Sequence, residues 1–394
     1  MKTLHITILS GFVGAGKTAV LQHVLQNQQG LKIGVIRNNT QDEDVQQEVT
    51  RLCGAGQFDY LLIESSGISE PMLVAESVSA IKADHEAGVA ANEMTRIDTM
   101  VTVVDATNFL TDFQSVEELR DRGIEVDDAD NRDIARVLVE QIEFANVILL
   151  NKTDLVSAEE CGCLLAILRK LNPNARVLAI SHGEVPVAEV VNTGRYQQAW
   201  DVGDDAWQSV LTGSASSESD GHGVSSFVYR ARRPFHPQRF WDFWMEGEHT
   251  PHILRSKGYF WLATRHAMSG FWSHIGQVLA AEPGGTWWAE TPRAEWPTDD
   301  PELLSELDSL WDEVWGDRRQ ELLLIGQDLD TAAVKHALHA CLLTDSEMQS
   351  GPSSWRNLED PFGSWDAEHV CDRSHDHDHD HDHDHDHDHD HDHG

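Results

Sequence analysis

The run Gly11-Phe12-Val13-Gly14-Ala15-Gly16-Lys17-Thr18 constrains this chain more than any other feature. It fits G-x-x-x-x-G-K-[ST]. An apolar strand, Leu4 to Leu9, precedes it, and a helical pattern from Thr18 to Gln26 follows, which is the setting the pattern requires. Gly11, Gly14 and Gly16 let the backbone turn its N–H groups, with that of Ala15 among them, toward phosphate oxygens, and the helix N-terminus adds a favourable dipole. Lys17 is placed to reach β- and γ-phosphates, and the Thr18 hydroxyl to ligate Mg²⁺. The plain alternative is a chance glycine-rich turn, which would need neither flank.

Past this loop the chain alternates. Strands are predicted at Lys32–Arg37, Phe58–Glu64, Met100–Asp105, Asn146–Leu150 and Arg176–Ile180, with helices at Asp42–Leu52, Pro71–Ile81, Asp133–Phe144 and Ala158–Leu171. Continuous apolar strands separated by helices imply an α/β fold, a doubly wound, mostly parallel sheet with ligands at the strands' C-terminal ends. This domain is expected over residues 1–212. A Ser/Gly/Asp-rich linker, 213–223, follows, and all thirteen tryptophans lie from Trp200 onward.

A smaller α/β unit is expected over 224–348, with strands at Ser225–Arg230, near Gly258–Thr264 and at Glu321–Ile325, and helices at Pro237–Trp244 and Thr331–Cys341. Its Trp287-Trp288 pair reads as packing. Residues 349–373 form an extension, and 374–394 a His–Asp tail with nothing apolar to bury, expected to be disordered.

Twenty-nine basic against 67 acidic residues give a net charge of −38, which argues against nucleic-acid or anionic-membrane partners. Five scattered cysteines suggest a reducing compartment. The N-terminal apolar run is too short for a signal peptide, and no run approaches the roughly 20 residues of a membrane span. A cytoplasmic protein is expected.

Glu64 closes an apolar strand and precedes Ser65-Ser66-Gly67. An acid there holds Mg²⁺ through water, and the Gly67 N–H faces a γ-phosphate; the plain alternative is an ordinary strand end. Asn151-Lys152-Thr153-Asp154 follows a later strand. The Asp154 carboxylate matches the N1–H and 2-amino donors of guanine, a pair adenine lacks. Ser181-His182-Gly183 after the next strand would clamp the base, so GTP is expected over ATP.

In the tail, His375, His377, His379, His381, His383, His385, His387, His389, His391 and His393 alternate with Asp. Imidazole is a common ligand for Zn²⁺, Co²⁺ and Ni²⁺, and a pliant run suits high-capacity binding. A purification tag or a solubilising acidic tail are the alternatives. Cys161 and Cys163 point to different faces of a helix, so a shared metal is not expected; with Cys53, Cys341 and Cys371 they read as packing or incidental residues.

In order, GFVGAGKT, FDYLLIESSGISEP, LVEQIEFANVILLNKTDL and SHG resemble the CobW-like P-loop GTPases, a family of zinc and cobalt chaperones related to nickel-handling GTPases. FVYRARRPFHPQRF, LRSKGYFWLATR, GDRRQELLLIG and ACLLTDSEM resemble its second domain. The resemblance spans roughly Ile6 to Leu343. It implies phosphate binding by Gly14 to Thr18, an Mg²⁺-side acid at Glu64, and guanine binding by Asn151, Lys152 and Asp154.

One departure matters. The family carries a switch segment and a G-C-x-C-C metal motif before the ESSG strand, whereas only eighteen residues, Thr40 to Gln57, separate Asn39 from Phe58 here. The three-thiolate site and much of switch I are absent from the sequence. The expectation is a GTP-hydrolysing metallochaperone, slow in turnover, that binds Zn²⁺ and delivers it to a client metalloprotein. The client is open, and so is the oligomeric state, with a nucleotide- or metal-dependent homo-oligomer as one form. The rival is a non-enzymatic metal buffer with a regulatory or vestigial nucleotide domain.

Overall fold

Six short apolar runs assemble as a parallel sheet in the computed structural model, which describes residues 3–28, 30–37, 42–79, 95–124, 130–196, 222–298 and 300–365. The strands are β1 (Leu4–Ser10), β2 (Ile33–Arg37), β3 (Tyr60–Glu64), β4 (Thr95–Asp105), β5 (Val147–Asn151) and β6 (Arg176–Ala179), in the order β2-β3-β1-β4-β5-β6. Every neighbouring pair is parallel.

Helices α1 (Lys17–Gln26), α2 (Asp42–Ala55), α3 (Pro71–Ser79), the short α4 (Phe109–Phe113), α5 (Ile134–Glu143) and α6 (Ala158–Leu171) make the crossovers. Ser157 starts α6 with a capping box to Glu160, satisfying two backbone donors that would otherwise lack partners. Burial on both faces explains the apolar runs: all five residues of β3 and of β5 are buried. Strands run left of β1 and then right of it, so the loop after β1 sits where the strand order reverses.

The second sheet is antiparallel. It contains β7 (Val224–Ala231), β8 (Ile253–Phe260), β9 (Met268–Ile275), β10 (Val278–Thr286) and β11 (Gln320–Gln327), in the order β10-β9-β8-β11-β7. Helices α7 (Pro237–Glu246), α8 (Pro301–Leu310) and α9 (Thr331–Ala340) belong to this half. Phe240 and Trp244 of α7 pack with Phe260 and Trp272 of the sheet and Leu338 of α9 in one aromatic-rich core.

Two expectations are corrected here. The strand expected near Gly258–Thr264 runs from Ile253 to Phe260, because Ala263–Arg265 turns as a 3-10 helix. β9 and β10, not anticipated, form a hairpin around Gly276-Gln277. Pro283 and Gly284 in β10 read as loop signals, yet Pro is tolerated on an edge strand, and the register shifts just after Pro283.

The second sheet's other face meets the first domain. Val224, Leu254, Ile275, Leu323 and Ile325 share a core with Val139 and Ile142 of α5 and Leu164 and Leu168 of α6. Within that seam Arg255, 5% exposed, donates through Nε and Nη2 to Glu143 Oε1 at 3.1 and 3.0 Å. Trp355 and Phe362 are buried in the second domain, so its core takes in residues beyond 348. Cys53, Cys161 and Cys163 are half-buried and Cys341 is buried, all as free thiols. Burial raises the thiols of Cys53 and Cys163, and pushes that of Cys341 up to about 12; such groups stay protonated and pack. Residues 38–41, 80–81 of the expected helix, 197–221, Cys371 and the His–Asp run lie outside the described residues.

Candidate functional site

The phosphate loop leaves β1 and enters α1 with Gly11, Gly14 and Gly16 all at positive φ (136°, 81° and 105°), a region that favours glycine. Gly16 has a second reason to lack a side chain, since its Cβ would strike the Asn151 amide nitrogen. Lys17 folds back along the loop and donates through Nζ to the carbonyl oxygens of Gly11 at 2.7 Å and Phe12 at 3.2 Å. Burial lowers the Lys17 amine to about 8, although Glu64 nearby opposes the shift.

Thr18 Oγ1 donates to Glu64 Oε1 at 2.7 Å, and Glu64 is 9% exposed. Two hard oxygens in contact at the foot of the phosphate loop suit Mg²⁺, which takes few protein oxygens and leaves the rest to water and phosphate. Arg37, opposite Glu64 in the β2–β3 register, pairs with Glu64 Oε2 through Nε at 3.3 Å. These residues and Val13, Gly14, Ser65, Ser66 and Gly67 line a cleft of about 350 Å³. A Cβ on Gly67 would lie 2.8 Å from the Val13 nitrogen, so the loop after β3 presses directly against the phosphate loop. The Gly67 carbonyl accepts from Gln141 Nε2 of α5 at 3.1 Å.

The second loop cluster lies after β5 and β6. Asn151 is 2% exposed and both ends of its amide are engaged: Nδ2 donates to the Ala15 carbonyl at 3.0 Å, and Oδ1 accepts from the Gly183 N–H at 3.1 Å. It therefore ties the phosphate loop to the loop after β6. Lys152 has left-handed backbone (φ 62°) and donates through Nζ to Asp105 Oδ2 at 2.6 Å. Asp154 is exposed, and its Oδ2 lies 3.7 Å from His182 Nε2. Ser181 Oγ sits 3.1 Å from Thr153 Oγ1, which donates to the Ile180 carbonyl at 2.9 Å. Lys17, Thr18, Glu64 and Gly67 thus line one cleft, while Asn151, Lys152, Asp154, Ser181 and His182 sit together on adjoining loops.

Three residues went unassigned in the sequence. Arg37 reads there only as a strand end, Asp105 likewise, and Gln141 as one position in an amphipathic helix. The only prior signal was an acid at the C-terminal end of a parallel strand, which Asp105 shares with Glu64. Among the described residues no three His, Cys, Asp or Glu side chains are grouped to hold a metal ion, and no helix is long and apolar enough to cross a membrane.

Residues 5–55 and 39–179 match the CobW/HypB/UreG nucleotide-binding domain, and residues 224–342 match the cobalamin synthesis protein CobW C-terminal domain. A Dictyostelium discoideum protein named zinc-regulated GTPase metalloprotein activator 1 is 36% identical over 403 aligned residues, covering 91% of this chain and 84% of its own. The chain belongs to the CobW family. Two further relatives are less similar. The zinc chaperone CobW of a Sinorhizobium species is 25% identical, over 85% of this chain and 96% of that one. A zinc chaperone of Mycobacterium tuberculosis is 30% identical, over 68% of this chain and 62% of its own. In the CobW-family frame, the first sheet is the nucleotide-binding domain and the antiparallel sheet the C-terminal one.

Proposed function

We propose that this CobW-family protein binds and hydrolyses GTP with Mg²⁺, carries Zn²⁺ and delivers it to a client metalloprotein in the cytoplasm. The observation that carries the nucleotide half is the Asn151 amide, which joins the phosphate loop to the loop bearing Ser181 and His182. One rigid unit then presents phosphate donors at one end and the Asp154 carboxylate, an acceptor pair for guanine, at the other. Thr18 and Glu64 would hold Mg²⁺, which supplies charge neutralisation at the β- and γ-phosphates. Lys17 must leave two carbonyl oxygens to meet them.

The zinc half is supported by the names of the relatives and by ten imidazoles in the tail. With only eighteen residues between Asn39 and Phe58, little chain is left to order the attacking water, and turnover is slow. The test has two arms. Phosphate release should be seen with GTP and Mg²⁺ and be far weaker with ATP. Zinc should pass from the loaded chain to a zinc-free metalloenzyme faster with GTP than without it. Equal use of ATP would remove the GTPase reading, and transfer indifferent to nucleotide would leave a metal buffer.

A further inference from the structure

The chain carries a net charge of −38, yet one cleft of the second domain holds two basic side chains, Arg230 and Lys335. Val228, Tyr229 and Arg230 of β7 with Lys335, His336 and His339 of α9 enclose about 500 Å³. Consecutive residues of a strand point to opposite faces of its sheet. A cleft that meets three in a row therefore runs along the strand's edge. β7 is the last strand of its sheet, paired with β11 on one side; among the described residues no strand pairs with the other. Such an edge offers N–H and C=O groups to an added strand.

Lys335 is the basic side chain most open to a partner there. It is exposed and holds Nζ 4.9 Å from the centre of the Phe227 ring. His336 and His339, also exposed, are three residues apart on one helix face. Arg230, about half exposed, pairs through Nε with Glu321 Oε1 at 2.8 Å.

We propose that this cleft docks the chain's own His–Asp run, 374–394, as an extended segment laid along β7. Charge complementarity is the first support: the run alternates ten His with nine Asp and contains no Lys or Arg. Extended, it sets its acids along one side, where Lys335 and the Arg230 edge can meet them. Reach is the second. Trp365, the last described residue, donates from Nε1 to the Ala281 carbonyl of β10 at 3.3 Å. From β10 to β7 is four strand spacings, about 19 Å, and the nine residues 366–374 span up to about 30 Å extended. Tethering is the third, since a short linker gives an effective concentration on the order of millimolar, enough for weak charge pairing. The inference rests on charge, edge and reach, whichever metal the run carries.

Hydrogen exchange tests it on the full chain and on a chain ended at Arg373, both free of nucleotide and metal. At low salt Val224–Ala231 and Thr331–Ala340 should exchange about 5-fold more slowly in the full chain. The gap should close at about 0.5 M salt, where the screening length is about 4 Å. It should also close at low salt in the full chain carrying Lys335→Glu, whose exposed site leaves the fold intact. A gap independent of protein concentration supports docking within one chain; one that grows with concentration assigns the run to a second copy and overturns the proposal. Equal exchange in the two chains at low salt, or a gap indifferent to both salt and Lys335→Glu, also overturns it. Neither result bears on the nucleotide reading, because no nucleotide enters the assay.

Discussion

Asn151 is joined to Ala15 by a hydrogen bond of 3.0 Å across 136 positions of sequence, and through its other amide atom to the Gly183 N–H. The phosphate loop and the loop after β6 are therefore one mechanical unit. Asn151→Ala would leave a buried N–H and a buried C=O unpaired, at about 1–3 kcal/mol. GTP affinity should fall roughly 10-fold or more, with a lower Tm, by calorimetry and thermal unfolding. Unchanged affinity would mean the two loops hold their places without the brace.

Lys17 supplies a pH signature. Burial brings its amine from 10.5 down to about 8 in the folded, nucleotide-free chain. Between about pH 8 and 10.5 the unfolded chain therefore binds more protons than the folded one, so this group makes stability rise with pH across that window. Triphosphate favours the charged amine, and GTP binding above pH 8 should take up a proton. Calorimetry in two buffers of different ionisation heat reads that uptake directly. No uptake at pH 8.5 would show that Lys17 is already fully charged.

Much of this site was legible because phosphate chemistry demands a contiguous run: Gly11 to Thr18 carries its pattern in eight residues. Glu64 was legible as the acid that ends an apolar strand, and Asp154 as the last position of the Asn-Lys-Thr-Asp run after one. Arg37, Asp105 and Gln141 were not, since their roles arise from register across the sheet and from a helix packed over a loop, which no local spacing encodes. Asn151 was legible as a motif position but not as a brace, because Ala15 and Gly183 meet it only in the fold. In the second sheet β8 was misplaced and the β9–β10 hairpin missed, since turn chemistry near Trp261 and the Pro and Gly of an edge strand at Pro283 outweigh strand pattern when a sequence is read locally.

Asp154 is the residue on which base choice should turn. It is exposed, with its Oδ2 3.7 Å from His182 Nε2, so Asp154→Asn should barely change Tm. Replacing an acceptor with a donor should lower the preference for GTP over ATP by about 100-fold, through weaker GTP binding. Competition binding with both nucleotides measures it. A preference that survives the change would move guanine recognition to other groups.

The seam between the domains has its own acid dependence. Burial alone would raise the Glu143 carboxyl, but Arg255 and Lys257 together hold it below its ordinary value of 4.5. A lowered carboxyl stabilises the fold above that ordinary value, and the contribution is lost as pH falls and the folded carboxyl protonates. Glu143→Gln should flatten the acid limb of a stability profile and cost about 3 kcal/mol near neutrality, because Arg255 is left buried without its acid. Urea unfolding from pH 3 to 7 distinguishes the two chains. Parallel profiles would show that the seam holds through its apolar contacts alone.

The last prediction concerns where the metal sits. Among the described residues no metal-ligating cluster is present, and the free thiols of Cys53, Cys163 and Cys341 are raised and protonated. Capacity should therefore reside in the ten imidazoles from His375 to His393. They ligate only when neutral, and with an ordinary pKa near 6.5 uptake should fall steeply below about pH 6. Ending the chain at Arg373 should remove most bound Zn²⁺ while leaving GTP affinity nearly unchanged, since residues of the first domain, Val13 to Gly67, supply the described lining of the phosphate cleft. Metal analysis of the two chains after dialysis, at pH 7.5 and at pH 5.5, reads both effects. Zinc retained by the shortened chain, and held at the lower pH, would require a tight site among groups other than these imidazoles.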